Sequence, residues 1–354
     1  MEIKEKIIRK YGTRNDLMIY QHSVFDPWPI ESESVQAVIT SPPYFALRKY
    51  AIPDVIIGDW KGQYGLEPTP QMYVEHTLLW AKEAWRVLRN DGIMFLNLAD
   101  SYHNPTKWTN KDGAQTISKG NARDLATGRK QDCGIPSKCQ LLIPHRVAIA
   151  LVDEGWTLRN SIIWYKSNGM PESVTDRFSK KYEYIFLFTK QEKYYFDLDS
   201  IREAHKEVSI ERLKRAIGNN NKWINGASGQ QKHGLSQPRP NYKDRIGSMQ
   251  SKEFGNGDYL CGKLNPLGRN PGDVWSIPTQ PSSEKHFAMW PERLVERMIK
   301  CSTKAGDIVL DCFAGSATTL KVAEQLQRKG IGIDLGYHDI SKRRTSKIQK
   351  ELFV

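Results

Sequence analysis

The sequence predicts a doubly wound α/β domain, and three observations carry that prediction. Short apolar or β-branched runs recur along the chain, each bounded by turn residues, as in strands covered on both faces. Helical patterns alternate with them, which is the rhythm of strand–helix–strand units. Two polar, basic segments without a period, residues 103–139 and 204–270, interrupt this rhythm and read as insertions at the edge of the core.

Strands are expected at 35–40, 92–98, 161–165, 184–189, 307–311 and 330–334. Val74, Leu78, Ala81, Trp85 and Leu88 step by 4, 3, 4 and 3, giving one apolar helix face with Trp85 in the core. That helix should stop at Asn90-Asp91-Gly92. A second helix is expected over 144–154, closed by Gly155, and a third over 291–302, with Pro291 in its first turn. A fourth should run over 318–328 and close at Gly330.

With 354 residues, 39% hydrophobic and 26% charged, the chain is long enough to bury a large core. No apolar run is long enough to span a bilayer, and the first residues carry no signal-peptide core, so a cytoplasmic protein is expected. The five cysteines form no CxxC pair and the eight histidines no HExxH. Neither a disulfide framework nor a metal site is expected.

Charge is unevenly placed. Residues 101–140 hold seven Lys/Arg against three acids, and residues 201–270 hold thirteen against six. Eleven of the twelve net positive charges therefore fall on the two segments that break the α/β rhythm. They read either as solvated loops or as basic arms that grip a phosphate backbone. Arg212, Lys214, Arg215, Lys243 and Arg245 are the candidate phosphate contacts, and Trp108 and Trp223 lie in the same arms.

Near the C-terminus, Ile308-Val309-Leu310-Asp311 runs into Cys312-Phe313-Ala314-Gly315-Ser316-Ala317-Thr318-Thr319: a strand, a tight turn, then a helix. A further strand follows and ends at Asp334, where an acid can accept both hydroxyls of a ribose. One glycine stands where GxGxxG needs three, and GxxxxGK[ST] is missing. The turn is an ordinary βα connection or the site of an adenosine-like ligand without a pyrophosphate. Near the N-terminus, residues 37–40 run straight into Ser41-Pro42-Pro43-Tyr44. The prolines stiffen the loop at a strand end. It offers a hydroxyl, a carbonyl without a neighbouring amide, and a flat ring. These suit a planar base carrying an exocyclic amine, or a proline-rich turn with a packing tyrosine.

Together the two motifs resemble those of the S-adenosylmethionine-dependent amino-methyltransferases of DNA. In that family a [S/D/N]PP[Y/F/W] loop performs the chemistry and a DPFxGxGTT-like loop binds the cofactor. The order found here, catalytic loop first, is similar to the permuted beta class. The likeness extends over residues 40–50, 65–102, 153–201 and 274–335. It implies a Rossmann-like methyltransferase sheet with helices on both faces. Residues 1–202 would be the catalytic half, 203–270 a target-recognition region, and 271–354 the cofactor-binding half. Ser41, Pro42, Pro43 and Tyr44 would hold a flipped base. Asp311, Phe313, Ala314, Gly315, Ser316, Thr318 and Thr319 would line the methionine and adenosine pocket, with Asp334 on the ribose. The segment 286–291 would lead into a helix beside the cofactor, and 164–166 with 171–173 would flank the base pocket.

The resemblance also implies S-adenosyl-L-methionine as cofactor, duplex DNA as partner, a possible restriction endonuclease acting on the same site, and a monomer or homodimer. Serine in the first position leans toward cytosine N4; adenine N6 is the alternative. Carbon-5 methylation needs a Pro-Cys nucleophile, and the chain contains no such pair. Three departures stand out. Cys312 replaces a proline. Ala317 replaces a glycine where positive φ would strain it. The acid that meets the cofactor adenine in relatives has no clear counterpart, Asp26 being the candidate. Competing readings are an RNA or protein-amide methyltransferase, a non-catalytic DNA-binding module, and a nucleotide-dependent dehydrogenase, which the single glycine disfavours.

Overall fold

A computed structural model describes residues 17–50, 52–103, 134–211, 264–280 and 290–336. The candidate phosphate contacts Arg212, Lys214, Arg215, Lys243 and Arg245 lie outside these residues. So do Trp108, Trp223 and most of the 103–139 segment. The chain divides into two compact units, one of residues 1–197 with 272–354 and one of residues 198–271.

The first unit holds an eight-stranded sheet in the order β1-β10-β9-β2-β5-β7-β6-β8. The strands are β1 (Leu17–Tyr20), β2 (Val35–Thr40), β5 (Leu88–Leu98), β6 (Thr157–Tyr165), β7 (Tyr182–Thr189), β8 (Val274–Ser276), β9 (Ile308–Asp311) and β10 (Lys329–Ile333). β3 (Val55–Ile57) and β4 (Trp60–Gly62) form a separate hairpin. Every neighbouring pair is parallel except those made by β7, which runs against β5 and β6. All six residues of β2 are buried, because helices cover both faces of the sheet. The helices are α1 (Pro70–Val87), α2 (Ile143–Asp153), α3 (Glu292–Ser302) and α4 (Thr318–Gln325). The expected fold class is present.

Local chemistry explains the helix starts. Thr69 caps α1 by accepting from the Met72 N–H at 3.2 Å, with Pro70 in the first turn. α2 has no side-chain cap of its own. Asp100 supplies one from 43 residues away, accepting from the Ile143 N–H at 3.0 Å and the Leu142 N–H at 3.1 Å.

Several expectations need correction. α1 ends at Val87 and β5 begins at Leu88, so Asn90-Asp91-Gly92 lies in a strand rather than stopping a helix. Of the expected stripe, Val74, Ala81 and Leu88 are buried while Leu78 and Trp85 are only partly so, and the buried face turns back to take in Tyr73, Thr77, Trp80, Ala84 and Val87. The bulky Tyr73 and Trp80 claim the core, leaving Trp85 half-buried with its edge against Trp156. α4 stops at Gln325, and Gly330 lies inside β10. A Cβ there would come within 2.7 Å of Leu17 Cδ2, so this glycine serves packing, not capping.

In the second unit, Glu203 and Arg269 pair as an antiparallel bridge and through an ion pair. His205 bonds the Asn265 carbonyl at 2.8 Å, joining the two ends of that unit.

Candidate active site

Parallel pairing of β2 with β9 brings their carboxyl ends side by side. The Thr40 hydroxyl donates to Asp311 Oδ1 at 2.9 Å, so the tip leading into Ser41 is bonded to the tip leading into Cys312. Asp311 Oδ1 also accepts from the Phe313 N–H at 3.1 Å, and Oδ2 from the Thr319 hydroxyl at 2.6 Å. This carboxylate therefore ties two strands and the start of α4 together. Burial pushes its pKa up to about 6, against those three stabilising hydrogen bonds.

An aromatic bridge joins the same two loops. The Tyr73 hydroxyl donates to the Pro43 carbonyl at 3.0 Å. Tyr73 stacks on Tyr64 at 4.9 Å, and Tyr64 on Phe313 at 5.7 Å. Behind the loop, Gly65 takes φ of +92°, and a Cβ there would meet Pro43 and Tyr44 at 3.1 Å. Glu67 holds Gly65 through its N–H at 2.8 Å and is itself held by His76 at 3.0 Å. Both Glu67 and His76 are buried.

Between the two loops lies a cavity of about 450 Å³, within the range of cofactor pockets. Ser41, Pro42, Pro43 and Tyr44 line one part of it. Asp311, Phe313, Ala314, Gly315, Ser316, Thr318, Thr319 and Asp334 line another. Every site residue expected from the two motifs therefore faces one space. Asp26 does not: it is exposed, and His22, Ser23, Val24 and Phe25 take the wall beside it. Of the 286–291 segment, Trp290 lines the cavity and Pro291 caps α3, while residues 286–289 lie outside the described residues.

The Ser41 hydroxyl donates to the Tyr44 hydroxyl at 3.2 Å, and Tyr44 donates to Glu183 Oε2 at 2.7 Å. Asn97 Nδ2 donates to the same Glu183 oxygen at 2.8 Å, and Lys166 pairs with Oε1. Burial and the adjacent Glu183 hold the Tyr44 phenol well above its ordinary pKa, so it stays protonated and keeps donating. Among the described residues, no hydrogen bond reaches the Pro42 carbonyl. Asn97 and Glu183 are absent from the sequence-based site. The one available signal was a polar residue inside each otherwise apolar strand run, Asn97 in residues 93–98 and Glu183 in 182–188.

Ala317 has φ of 58° and ψ of 33°, the left-handed geometry expected to strain it. Its methyl is fully buried among Leu17, Ile19, Ala314 and Leu320. Cys312 is fully buried too, and its thiol is pushed up by that burial, so it is no nucleophile.

The donor set fits a nucleoside bearing a cationic sulfur. Asp334 lines the cavity at the tip of β10 and accepts from the Gly315 N–H and the Gly336 N–H, each at 2.8 Å, which places a carboxylate beside the glycine turn. Gly332 closes under Ala314, where a Cβ would sit 3.0 Å from the Ala314 Cβ. Among the described residues no helix is long and apolar enough to cross a membrane, and no cluster suits a metal ion.

Fold and site together define a Rossmann-like methyltransferase whose cofactor is S-adenosyl-L-methionine. A family model described as DNA methylase matches residues 35–343, nearly the whole sheet. The chain belongs to that family, the N6/N4 amino-methyltransferases of DNA. It is 32% identical to the type II methyltransferase M.Cfr9I of Citrobacter freundii, over 89% of this chain and 82% of the relative. It is 30% identical to the type II methyltransferase M.SfiI of Streptomyces fimbriatus, over 87% and 85%. Among solved structures it resembles PvuII DNA methyltransferase (cytosine-N4-specific), with a TM-score of 0.56, 18% identity and coverage of 94% and 87%. It also resembles a DNA modification methylase of Thermus thermophilus complexed with S-adenosyl-L-methionine, with a TM-score of 0.51, 17% identity and 93% coverage of both chains. At these identities the structural likeness is one of fold.

Proposed function

We propose that this chain methylates the exocyclic N4 of cytosine in duplex DNA, as the modification half of a type II restriction–modification pair. One observation carries the reading: the Thr40–Asp311 bond sets the Ser41 hydroxyl and the Pro42 carbonyl over the cavity that the cofactor turn lines. The Ser41 proton is committed to Tyr44 and one lone pair faces Asn97 Nδ2 at 3.4 Å, so the other lone pair is left to accept. Two acceptors on the amine draw its hydrogens out of the base plane and turn its lone pair toward the transferable methyl. S-adenosyl-L-methionine, when bound, supplies that methyl already activated on a sulfonium. The residues' task is thus positioning, in line and close.

In this reading the side chain of Asp334 takes the ribose hydroxyls, and Gly315 lets the backbone approach the nucleoside. Ser41, Tyr44 and Glu183 offer the surplus amine proton a path to a carboxylate. The target base leaves the helical stack to reach Ser41, at a cost of a few kcal/mol. Residues 203–270 recognise the sequence, with Arg212, Lys214, Arg215, Lys243 and Arg245 on phosphates. Serine at position 41 favours cytosine, and the relatives named type II methyltransferases favour a partner nuclease. Adenine N6 is the second reading, supported by a family model that spans both bases.

Long-read sequencing of DNA from cells expressing the chain tests this. N4-methylcytosine in a fixed context is expected. N6-methyladenine in a fixed context would establish the second reading instead, and no modified base at all would sink both.

A further inference from the structure

The loop joining β6 to β7, residues 166–181, rises from the same sheet edge as the cavity. Its root residues are cavity residues, since Trp164, Lys166 and Glu183 all line that space. This loop is held in one shape from within. Glu172 Oε2 accepts from Arg177 Nη1 at 2.6 Å and from the Lys180 N–H at 3.2 Å. The Glu172 carbonyl accepts from the Val174 N–H at 2.9 Å and the Ser179 hydroxyl at 3.4 Å. Asn168 clasps Thr279 with bonds of 2.7 Å and 2.9 Å. Arg177 lies over the Tyr102 ring at 4.1 Å, and Lys180 Nζ donates to the Asp100 carbonyl at 2.6 Å.

On this fixed frame one ring faces water. Phe178 is 96% exposed, the most exposed large apolar side chain among the described residues, and Met170 on the same loop is 73% exposed. A lone exposed phenylalanine on a soft loop would mean little. Here the two residues beside it in the chain, Arg177 and Ser179, are both pinned, so the ring is presented rather than loose. The loop's charged residues are Lys166, Arg177, Lys180 and Lys181 against Glu172 and Asp176, a positive balance along the segment that carries the ring. Apolar rings on a cationic frame are the chemistry with which proteins enter a base stack while holding the phosphates.

We propose that Phe178 enters duplex DNA as a wedge, filling the gap that the target base leaves when it turns into the cavity. The inference rests on the reading of the chain as a base-flipping DNA methyltransferase. Its occupant is duplex DNA. The wedge acts before methyl transfer: it lowers the cost of holding the base outside the stack and touches neither the methyl nor the amine.

The test uses the full chain, S-adenosyl-L-methionine and two oligonucleotide duplexes carrying the site found by sequencing. In one duplex the target base is paired; in the other it is mismatched and already unstacked in part. Phe178→Ala should lower kcat/KM on the paired duplex by roughly 10- to 100-fold, the size of a base-flipping cost of a few kcal/mol. On the mismatched duplex the loss should shrink to less than about threefold, since little flipping cost remains. Phe178→Trp should keep near-normal rates on both, and cofactor affinity should not change in either variant. Equal loss on both duplexes, or no loss on the paired one, overturns the wedge. If the unaltered chain methylates neither duplex, the functional reading itself fails and the wedge fails with it.

Discussion

Thr40 and Asp311 are 271 positions apart in the chain, and the hydroxyl of one donates to the carboxylate of the other at 2.9 Å. That bond sits where two parallel strands end side by side. It connects a loop rich in acceptors, at Ser41 and Pro42, to a turn built around Gly315. The same carboxylate also receives the Thr319 hydroxyl, so strand tips and helix start move as one piece.

Asp311 should make both stability and cofactor binding depend on pH. Its pKa in the folded chain is about 6, against about 3.9 when unfolded. Between those values the native state keeps a proton that the unfolded state has released. The stabilisation is fully present below the unfolded pKa and is lost as pH rises through about 6. The whole effect is on the order of 3 kcal/mol. Asp311→Asn should flatten this part of the stability profile, measured by denaturant unfolding from pH 4 to pH 7. A bound cation favours the ionised carboxylate, so S-adenosyl-L-methionine should bind about tenfold more weakly at pH 5 than at pH 7. Calorimetry on the Asn variant should show no such change; an unaltered pH dependence would assign it to another group.

Asp334→Ala should weaken cofactor binding by roughly 10- to 100-fold, the loss expected when hydrogen bonds to a charged acceptor disappear. The Gly315 and Gly336 N–H groups also lose their acceptor in this variant. Calorimetry with S-adenosyl-L-methionine is the readout, and unchanged affinity would remove Asp334 from the site.

Glu183→Gln keeps the volume but removes the charge that receives the Tyr44 hydroxyl and pairs with Lys166. We predict a fall in kcat of at least about tenfold with little change in the cofactor's KM, as expected when a group acts on positioning in the transition state. Glu183→Asp should recover part of the rate. A variant at full speed would leave Glu183 a structural residue.

Ala317 carries a left-handed backbone and a buried methyl at once. Glycine there relieves about 1–2 kcal/mol of backbone strain. It loses about 0.8 kcal/mol of burial and about 0.5–1 kcal/mol to greater chain entropy. Ala317→Gly should therefore change unfolding stability by less than about 1 kcal/mol. Ala317→Val puts a branched side chain into the same geometry and should cost about 3 kcal/mol, through overpacking and strain together. Denaturant melts of the two variants give both numbers. A gain well above about 1 kcal/mol for glycine would mean that the methyl contributes nothing.

What could be read from the chain was what is local. The tetrapeptide 41–44, the turn 311–319 and the strands at 35–40 and 307–311 are contiguous runs with their own chemistry, and all converge on one cavity. What could not be read depends on partners far apart. Glu183 reaches Tyr44 across 139 positions, and Asp100 caps a helix 43 positions later. Asp311 looked like a ligand-facing acid, yet three protein donors already engage it. The apolar stripe of α1 held at Val74, Ala81 and Leu88 but missed Tyr73 and Trp80, because spacing alone does not say whether Trp80 or Trp85 goes inside. β1 and β8, four and three residues long, carry too few positions for a pattern to show. The reversal of β7 also had no signal, since a buried strand reads the same in either direction.

The most direct test is single-turnover methyl transfer by Ser41→Ala, with radiolabelled S-adenosyl-L-methionine at saturation and a duplex carrying the recognised site. The expected rate is roughly 100-fold lower or more, the scale on which loss of one positioned polar group acts. Cofactor affinity should stay unchanged, because Thr40 and Asp311 keep their bond. A variant that transfers methyl at close to the normal rate would contradict the claim that the Ser41 tip performs the chemistry.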